Sequence, residues 1–348
     1  MAEQKNKDMS IYVGIDVSKD SLQAAMVTES AQGLKVIATH KFPNTDKGFG
    51  DMCHWGRSKS KGAEWLVVME ATGIYHENVA DYLYELGIKV SVELPNKIKH
   101  FAKSLNTKTK TDKIDALVIA RYGLERNPSL WEPMTGNLAQ MRALSRMIHS
   151  VKKDAARYKN RVSALKATGR TSRGTMEHAE SLITQLERSI GDMERDLLSM
   201  ANEDASLMER VRKVATIKGV KELTIIHLLC ETNGFKLMGN ARQAVSYAGL
   251  DVEGYESGTI SRKGRISKKG NPRVRQLLYT PALVATRFGP ESVRRLYERV
   301  AEKNPTAKKK AIVAAERKLL VLIYTLWKKN AKYDPDYECK IINNCNLQ

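Results

Sequence analysis

Five short runs of β-branched and aliphatic residues, which alternate with helix-like stretches between residues 11 and 125, most limit the folds open to this chain. The first three runs, IYVGIDV, LQAAMVT and KVIATHKF, are divided by SKDS and ESAQG and predict consecutive strands joined by turns. EWLVVME and KVSVELP predict two more strands. Helices are predicted at 47–55, 76–86, 96–105 and 112–124. The later strands then need helical crossovers and lie parallel to each other, which is an α/β arrangement.

This order, three meandering strands followed by helix–strand–helix–strand–helix, is the ribonuclease H-like order, and we predict that fold for residues 1–130. From Leu138 the apolar period changes to that of a coiled coil, which predicts a coiled-coil insert at 131–210. Two helices with one apolar seam each could fold back as an antiparallel hairpin, pair with another subunit or form the core of a local bundle. The two predicted seams are Leu144, Ile148, Val151, Ala155, Tyr158, Val162, Leu165 and Ile183, Leu186, Ile190, Met193, Leu197, Met200.

Residues 211–335 are predicted to form a mostly helical domain, followed by a short tail at 336–348. A loop-rich stretch is predicted from Leu250 to Asn271. Asn271 and Pro272 then provide an N-cap and a first-turn proline for a helix that ends near Phe288. A long closing helix is predicted at 306–330.

Charge is concentrated in this last part of the chain. The formal net charge is +19, and residues 211–348 hold 27 basic and 12 acidic residues. Residues 257–290 contain no acid, and such a segment favours contact with phosphates over a merely solvated loop. The candidate nucleic-acid-binding residues in it are Arg262, Lys263, Arg265, Lys268, Lys269, Arg273 and Arg275.

Several classes of protein lack their usual signals in this sequence. The four cysteines form no CxxC pair, and no GxxxxGK[ST], HExxH or GxGxxG motif is present. The most apolar run, residues 319–327, is too short to span a bilayer, and the first residues do not resemble a signal peptide. We therefore expect a cytoplasmic protein with no membrane partner.

Four carboxylates stand at positions where the predicted elements could bring them together. Asp16 and Glu70 each end a predicted strand, and Asp112 and Asp115 begin a predicted helix, from one face of which both project. Converging carboxylates repel one another unless a cation neutralises them, and their hard oxygen atoms suit Mg²⁺ or Mn²⁺. Such a site supports phosphodiester chemistry. For Asp112 and Asp115 alone, helix capping is the competing interpretation.

The motifs GIDVSKD, VVMEATG and KTDKIDA, together with SYAGLDVEGYESGTISRKGRISKKGNPRVRQLLY, resemble those of the DEDD transposases of bacterial insertion sequences. That family is related to a pilin-gene DNA invertase and includes bridge-RNA-guided recombinases, and the resemblance covers nearly the whole chain. It implies a RuvC-like metal domain with Asp16, Glu70, Asp112 and Asp115 as metal ligands, and a C-terminal transposase domain with Ser257 as the nucleophile of a transient phosphoserine link.

The same resemblance implies several partners: donor and target DNA, a structured noncoding guide RNA encoded by the element, and other copies of the chain in a dimer or tetramer. A bacterial protein of this kind would lie on the nucleoid when bound to DNA. Two positions depart from the family pattern, Lys221 in place of a frequent glycine and Val252 near an expected proline. Neither is one of the proposed reactive groups.

Other functions remain open from the residues. A metal-dependent nuclease or junction resolvase would use water and not Ser257, and a site-specific DNA invertase would use the same groups in a different reaction. A nucleic-acid-binding regulator would need none of the acids. An actin-like sugar kinase is disfavoured because a second glycine-rich phosphate motif is missing.

Overall fold

The structure, a computed structural model, describes residues 11–31, 33–71, 74–105, 111–134, 136–169, 171–236, 238–257 and 260–336, with the side chains of all of these except 254–263. The chain divides into two compact units, Met1–Pro133 and Met134–Gln348. The finer division at residues 130, 210 and 335 stays a prediction. Within the described ranges, no helix is both long enough and apolar enough to cross a membrane.

The first unit is built on a five-stranded sheet with the order β3-β2-β1-β4-β5. Strands β1, β2 and β3 pair antiparallel, whereas β1, β4 and β5 pair parallel. The predicted ribonuclease H-like fold is therefore confirmed. The elements are β1 (Ile11–Val17), β2 (Ser21–Ser30), β3 (Gly33–Pro43), α1 (Asp46–Ser60), β4 (Trp65–Glu70), α2 (Glu77–Glu85), β5 (Lys89–Glu93), α3 (Pro95–Ser104) and α4 (Asp112–Arg126).

Alternation along the strands sends side chains to two separate cores. In β1, Val13 and Ile15 belong to the core that includes residues of α1 and α2, whereas Tyr12 belongs to the core that includes residues of α3 and α4. Gly14 lies on the α4 side, where a Cβ atom would come within 2.2 Å of Ala116 O and Ala120 N. The absence of a side chain at Gly14 thus lets α4 pack directly on β1.

The second unit begins with two long helices, α5 (Gly136–Thr168) and α6 (Arg173–Asn202). They run antiparallel, because ion pairs join Lys152 to Glu194, Lys159 to Glu187 and Lys166 to Glu180. The seam residues predicted from the sequence are buried or half-buried in both helices. Of the three arrangements left open by the sequence, the chain adopts the fold-back hairpin, and a coiled-coil supercoil stays a prediction.

The remaining helices share one hydrophobic core with the end of the α5–α6 hairpin that contains the start of α5 and the end of α6. Met141, Ile148, Leu197 and Ala201 pack in the same cluster as the buried residues of the C-terminal helices. The predicted helices after Asn271 and near 306–330 are confirmed. The elements are α7 (Ala205–Val214), α8 (Glu222–Thr232), α9 (Ala241–Ala248), β6 (Val252–Ser257), β7 (Ile260–Ile266), α10 (Pro272–Phe288), α11 (Glu291–Glu302) and α12 (Lys309–Lys329).

The predicted loop-rich stretch from Leu250 to Asn271 was wrong in its centre, where β6 and β7 form an antiparallel hairpin. Ser257 pairs with Ile260 at the end of the two strands. The many charges and glycines of this stretch masked its alternation, which is the signal that a two-stranded ribbon would show. The regular structure comes from pairing between the two strands. Local sequence patterns do not reveal such pairing.

Candidate functional site

Asp16 and Glu70 lie at the carboxyl ends of two neighbouring parallel strands. The register pairs Ile15 of β1 with Met69 of β4, so the two acids follow at adjacent positions. Both also lie on the α4 face of the sheet, because the preceding residues of alternate parity, such as Tyr12 and Val68, belong to the core that contains α4. Both acids are half-buried and so remain accessible to solvent.

The first turn of helix α4 lies at the same end of the sheet as the carboxyl ends of β1 and β4. Ala116 and Ala120 lie over Gly14, while Gly123, later in α4, lies against Val68 and Tyr12, farther from the carboxyl end of β1. The helix therefore runs back along β1 from the end where Asp16 lies. Asp112 and Asp115 belong to that first turn, with Asp115 half-buried and the side chain of Asp112 68% exposed.

The N-terminus of α4 is closed by Thr111, whose side-chain oxygen accepts a hydrogen bond from Ile114 N at 3.3 Å. Thr111 therefore performs the capping that had been the competing explanation for the two acids. Negative charge in the first turn compensates the helix dipole, so both aspartates also stabilise α4.

Three further residues extend the row of polar groups across the sheet, and sequence reasoning missed all three. Gln23 pairs with Asp16, Lys41 pairs with Gln23, and Glu93 pairs with Glu70. Lys41 Nζ lies 4.0 Å from Asp112 Oδ2. Glu93 is buried and forms an ion pair with Lys97 at 2.7 Å. Glu93 ends its strand as Glu70 does, which is the signal that could have identified it.

The donor set at this edge fits a hard divalent cation in kind, because carboxylate oxygens from several strand ends and a helix terminus are the ligands that such ions prefer. Among the residues that the structure describes, no three acidic, histidine or cysteine side chains are arranged so that they could hold a metal ion. The fold thus brings the four predicted acids to one edge, and their role as metal ligands stays a prediction.

The second predicted constellation lies on the β6–β7 hairpin and the start of α10. Ser257 occupies the last position of β6, and its side chain, like those of Arg262 and Lys263, lies outside the described residues. Arg265 and Lys268 are exposed, and Arg273 is half-buried.

Two of the predicted nucleic-acid-binding residues have partners within the protein. Lys269 forms an ion pair with Glu253 at 2.6 Å. Arg275 Nη1 donates to Ala248 O at 2.6 Å and to Gly270 O at 3.4 Å. Arg275 therefore ties together the two chain segments from which the hairpin rises.

A buried carboxylate, Glu231 of α8, anchors the same region. Its side chain is 1% exposed and accepts hydrogen bonds from Arg146 Nε at 3.0 Å and from Asn271 Nδ2 at 2.9 Å. Tyr247 OH donates to the Glu231 carbonyl at 2.7 Å. Burial works to raise the pKa of Glu231, but the hydrogen bonds from Arg146 and Asn271 outweigh it and hold the pKa below its usual value. Glu231 thus links α5, α8, α9 and the N-cap of α10.

Next to Glu231, His227 makes the stability of the second unit depend on pH. Burial, with the positive charge of Lys152 as a smaller cause, lowers the pKa of His227 to about 4. An unfolded chain binds a proton at His227 below about pH 6.5, whereas the folded chain does not until about pH 4. The unfolding free energy is therefore expected to fall as the pH drops through this window.

For His227→Gln, we expect the loss of unfolding free energy between pH 7 and pH 5 to be about 2 kcal/mol smaller than in the native chain. Glutamine can keep the hydrogen bond that joins Ser145 Oγ to His227 Nδ1 at 2.6 Å. Denaturant unfolding at the two pH values measures the difference. His178→Gln, at an exposed position of α6, is the control. An equal acid sensitivity in both variants would contradict the assignment to His227.

Two family models and several known proteins are similar to this chain. Two family models match the chain: one described as transposase, of the DEDD type, over residues 13–166, and one described as transposase IS116/IS110/IS902 family over residues 211–298. The pilin gene-inverting proteins of Moraxella lacunata and Moraxella bovis are each 30% identical over 326 residues, which is 93% of this chain and 97% of theirs. Among solved structures, RuvC of Thermus thermophilus matches with a TM-score of 0.26 and 16% identity, over 35% of this chain and 99% of that one.

The two family models and the pilin gene-inverting relatives together define an enzyme of DNA transposition and recombination. The chain belongs to the IS116/IS110/IS902 transposase family, and its first unit has a ribonuclease H-like sheet.

Proposed function

We propose that this transposase cuts and rejoins DNA through a transient phosphoserine at Ser257, with Asp16, Glu70, Asp112 and Asp115 holding a divalent cation, Mg²⁺ or Mn²⁺. The observation that supports the proposal is that Asp16 and Glu70 end two neighbouring parallel strands and that α4, which begins with Asp112 and Asp115, starts at the same end of the sheet, in a chain of this family. A divalent cation bound there supplies polarisation of the phosphate and stabilises charge on the attacking and leaving oxygens.

The protein groups carry out a balanced exchange of bonds. Ser257 Oγ attacks a backbone phosphorus and forms an O–P bond, while the bond from that phosphorus to one deoxyribose oxygen breaks. The deoxyribose oxygen takes up a proton and leaves as a hydroxyl. A hydroxyl of the exchanged strand then attacks the phosphoserine and releases Ser257. As many phosphodiester bonds form as break, so the reaction needs no external energy source.

We further propose that an element-encoded guide RNA pairs with donor and target DNA and selects the sites, as the resemblance implies. The concentration of positive charge in residues 211–348 supports polyanion binding by this part of the chain. A dimer or tetramer would bring the acid site of one copy to the Ser257 of another. This arrangement suits a chain in which the acids and the serine belong to two separate compact units.

The decisive experiment is reconstitution with the protein's own RNA. The full chain is purified from its source cells, the RNA that accompanies it is sequenced, and protein, RNA and two matching DNA duplexes are combined with Mg²⁺. We expect strand-exchanged DNA that depends on the RNA. An RNA with scrambled pairing segments is the control. Exchange at the same rate without RNA would contradict guidance, and hydrolysed ends without exchange would contradict recombination.

Site-specific DNA inversion is a second candidate for the native reaction. The observation in its favour is that both relatives matched over nearly their whole length are pilin gene-inverting proteins. The same reconstitution distinguishes the two reactions. When both recombination sites lie in inverted orientation on one DNA molecule, inversion reverses the segment between them, whereas transposition moves the element to a separate target.

A further inference from the structure

Helix α12 and its flanking residues carry positive charge that the described protein does not neutralise. Residues 303–333 contain nine basic residues and a single acid, Glu316. Glu316 is 3% exposed, and burial raises its pKa to about 7 even though the charge of Arg275 acts in the opposite direction. This acid therefore contributes little negative charge to the surface.

Helical spacing gathers five of these cations on the exposed side of α12. The opposite side, which includes Ala315, Leu319 and Ile323, is buried in the core of the second unit. At 1.5 Å per residue, Lys310 and Lys328 are separated by about 27 Å along the helix. We name this surface the α12 basic face, and it consists of Lys310, Arg317, Lys318, Lys328 and Lys329, all of them exposed.

None of these five residues forms an ion pair with an acid in the part of the chain that the structure describes. Lys310 Nζ lies 3.4 Å from Asn304 Oδ1, and Lys328 Nζ lies 5.7 Å from the ring centre of Tyr324, so the contacts shown are with neutral groups. On α5, by contrast, Lys152 and Lys159 each pair with a glutamate of α6. The charges of the α12 basic face remain available to an external anion.

Positive charge is also concentrated at the start of α12, where it destabilises the helix. Lys308, Lys309 and Lys310 occupy the N-terminus, and the first turn contains no acid and no side-chain cap. Cations at this end oppose the helix dipole, and an acid there would stabilise the helix. The three lysines at this end therefore do not serve helix stability, and they add to the positive charge of this part of the chain.

We propose that the α12 basic face binds the phosphate backbone of duplex DNA without reading its sequence. A span of about 27 Å corresponds to roughly eight base pairs at 3.4 Å per pair. Four of the five cations are lysines, which act as point charges toward phosphates and do not offer the planar fork that arginine uses for guanine. The proposal rests on the proposed function only in taking DNA as the polyanion.

The test compares two triple variants of the full chain that lose the same net charge. Lys310→Gln, Arg317→Gln, Lys328→Gln removes cations from the α12 basic face. Lys35→Gln, Lys59→Gln, Lys61→Gln removes three exposed cations from the first unit. They lie near the amino end of β1 and β4, whereas the acids lie at the carboxyl end. Both variants also carry Ser257→Ala, so that binding is measured without cleavage. Binding to a 30-base-pair DNA duplex is followed by fluorescence anisotropy from 50 to 300 mM salt, and circular dichroism checks folding.

We expect the α12 variant to lose at least tenfold in DNA affinity at 100 mM salt, and its salt dependence to fall by roughly 0.9 for each phosphate that the variant no longer neutralises, or about 3 in total. The first-unit variant should change affinity less than threefold. Equal losses in both variants would reduce the effect to net charge, and unchanged affinity of a folded α12 variant would overturn the proposal. A loss confined to binding of a duplex RNA would assign the face to RNA and overturn it as well. None of these outcomes depends on the phosphoserine step.

Discussion

Ser257→Ala is expected to abolish both the covalent protein–DNA adduct and strand exchange, with rates at least about ten-thousand-fold below the native chain. The expected loss is this large because the substitution removes the atom that would form the bond to phosphorus. Backbone pairing of Ser257 with Ile260 at the end of the hairpin does not need the hydroxyl, so the fold should persist. Denaturing gel electrophoresis of the protein after incubation with labelled DNA measures the adduct directly.

The same variant separates recombination from water-dependent nuclease activity. A nuclease that uses the four acids and a water molecule would continue to cut DNA without Ser257. Ser267→Ala is the matched control, because its hydroxyl also lies near the hairpin and donates to Asp251 Oδ1 at 2.6 Å. Removing that structural bond should leave adduct formation within a few-fold of native. Undiminished DNA cleavage by Ser257→Ala would establish the nuclease alternative.

The architecture of the first unit could be predicted because each of its strands is a local signal. Apolar alternation and β-branched residues mark all five strands, and the order of strands and helices then limits the topology. Glu93 could not be assigned to this row of acids from local signals. Its place beside Glu70 depends on the register between β4 and β5, which is a pairing between residues far apart in the chain.

The pairing of α5 with α6 was left open, although the sequence contained information on it. Lysines at 152, 159 and 166 and glutamates at 194, 187 and 180 both recur at seven-residue intervals, in opposite directions along the chain. An antiparallel hairpin places each lysine opposite a glutamate, which the apolar seams alone do not indicate. The matched spacing of these lysines and glutamates therefore predicts the antiparallel pairing of α5 with α6.

The contacts of Glu231 beneath the β6–β7 hairpin were the feature least predictable from the sequence. Glu231 interrupts the apolar helix segment LTIIHLLCET, and a lone acid in such a setting indicates a buried partner. Its partners Arg146 and Asn271 are 85 and 40 residues away in sequence. Only the assembled core of the second unit brings them together.

For the acid site, the largest expected effect is that of Asp16→Asn, which should lower strand cleavage by at least about a thousand-fold. Asparagine keeps the shape of the side chain but removes the charge that the proposed cation requires. Asp51→Asn is the control, because Asp51 is an exposed acid of α1, which packs on the other face of the sheet. It should leave cleavage unchanged.

Metal binding distinguishes a ligand from a residue that only supports the fold. Carboxylates gathered at one edge repel one another, so Asp16→Asn without metal should be at least as stable as the native chain. Saturating Mn²⁺ should raise the unfolding free energy of the native chain by about 2.7 kcal/mol at a hundredfold excess over Kd, and should leave Asp16→Asn nearly unchanged. Thermal unfolding with and without Mn²⁺, together with the electron paramagnetic resonance signal of bound Mn²⁺, measures both effects. An inactive Asp16→Asn that binds Mn²⁺ as tightly as the native chain would remove Asp16 from the metal site, and the proposal would then need a different ligand set on the same sheet edge.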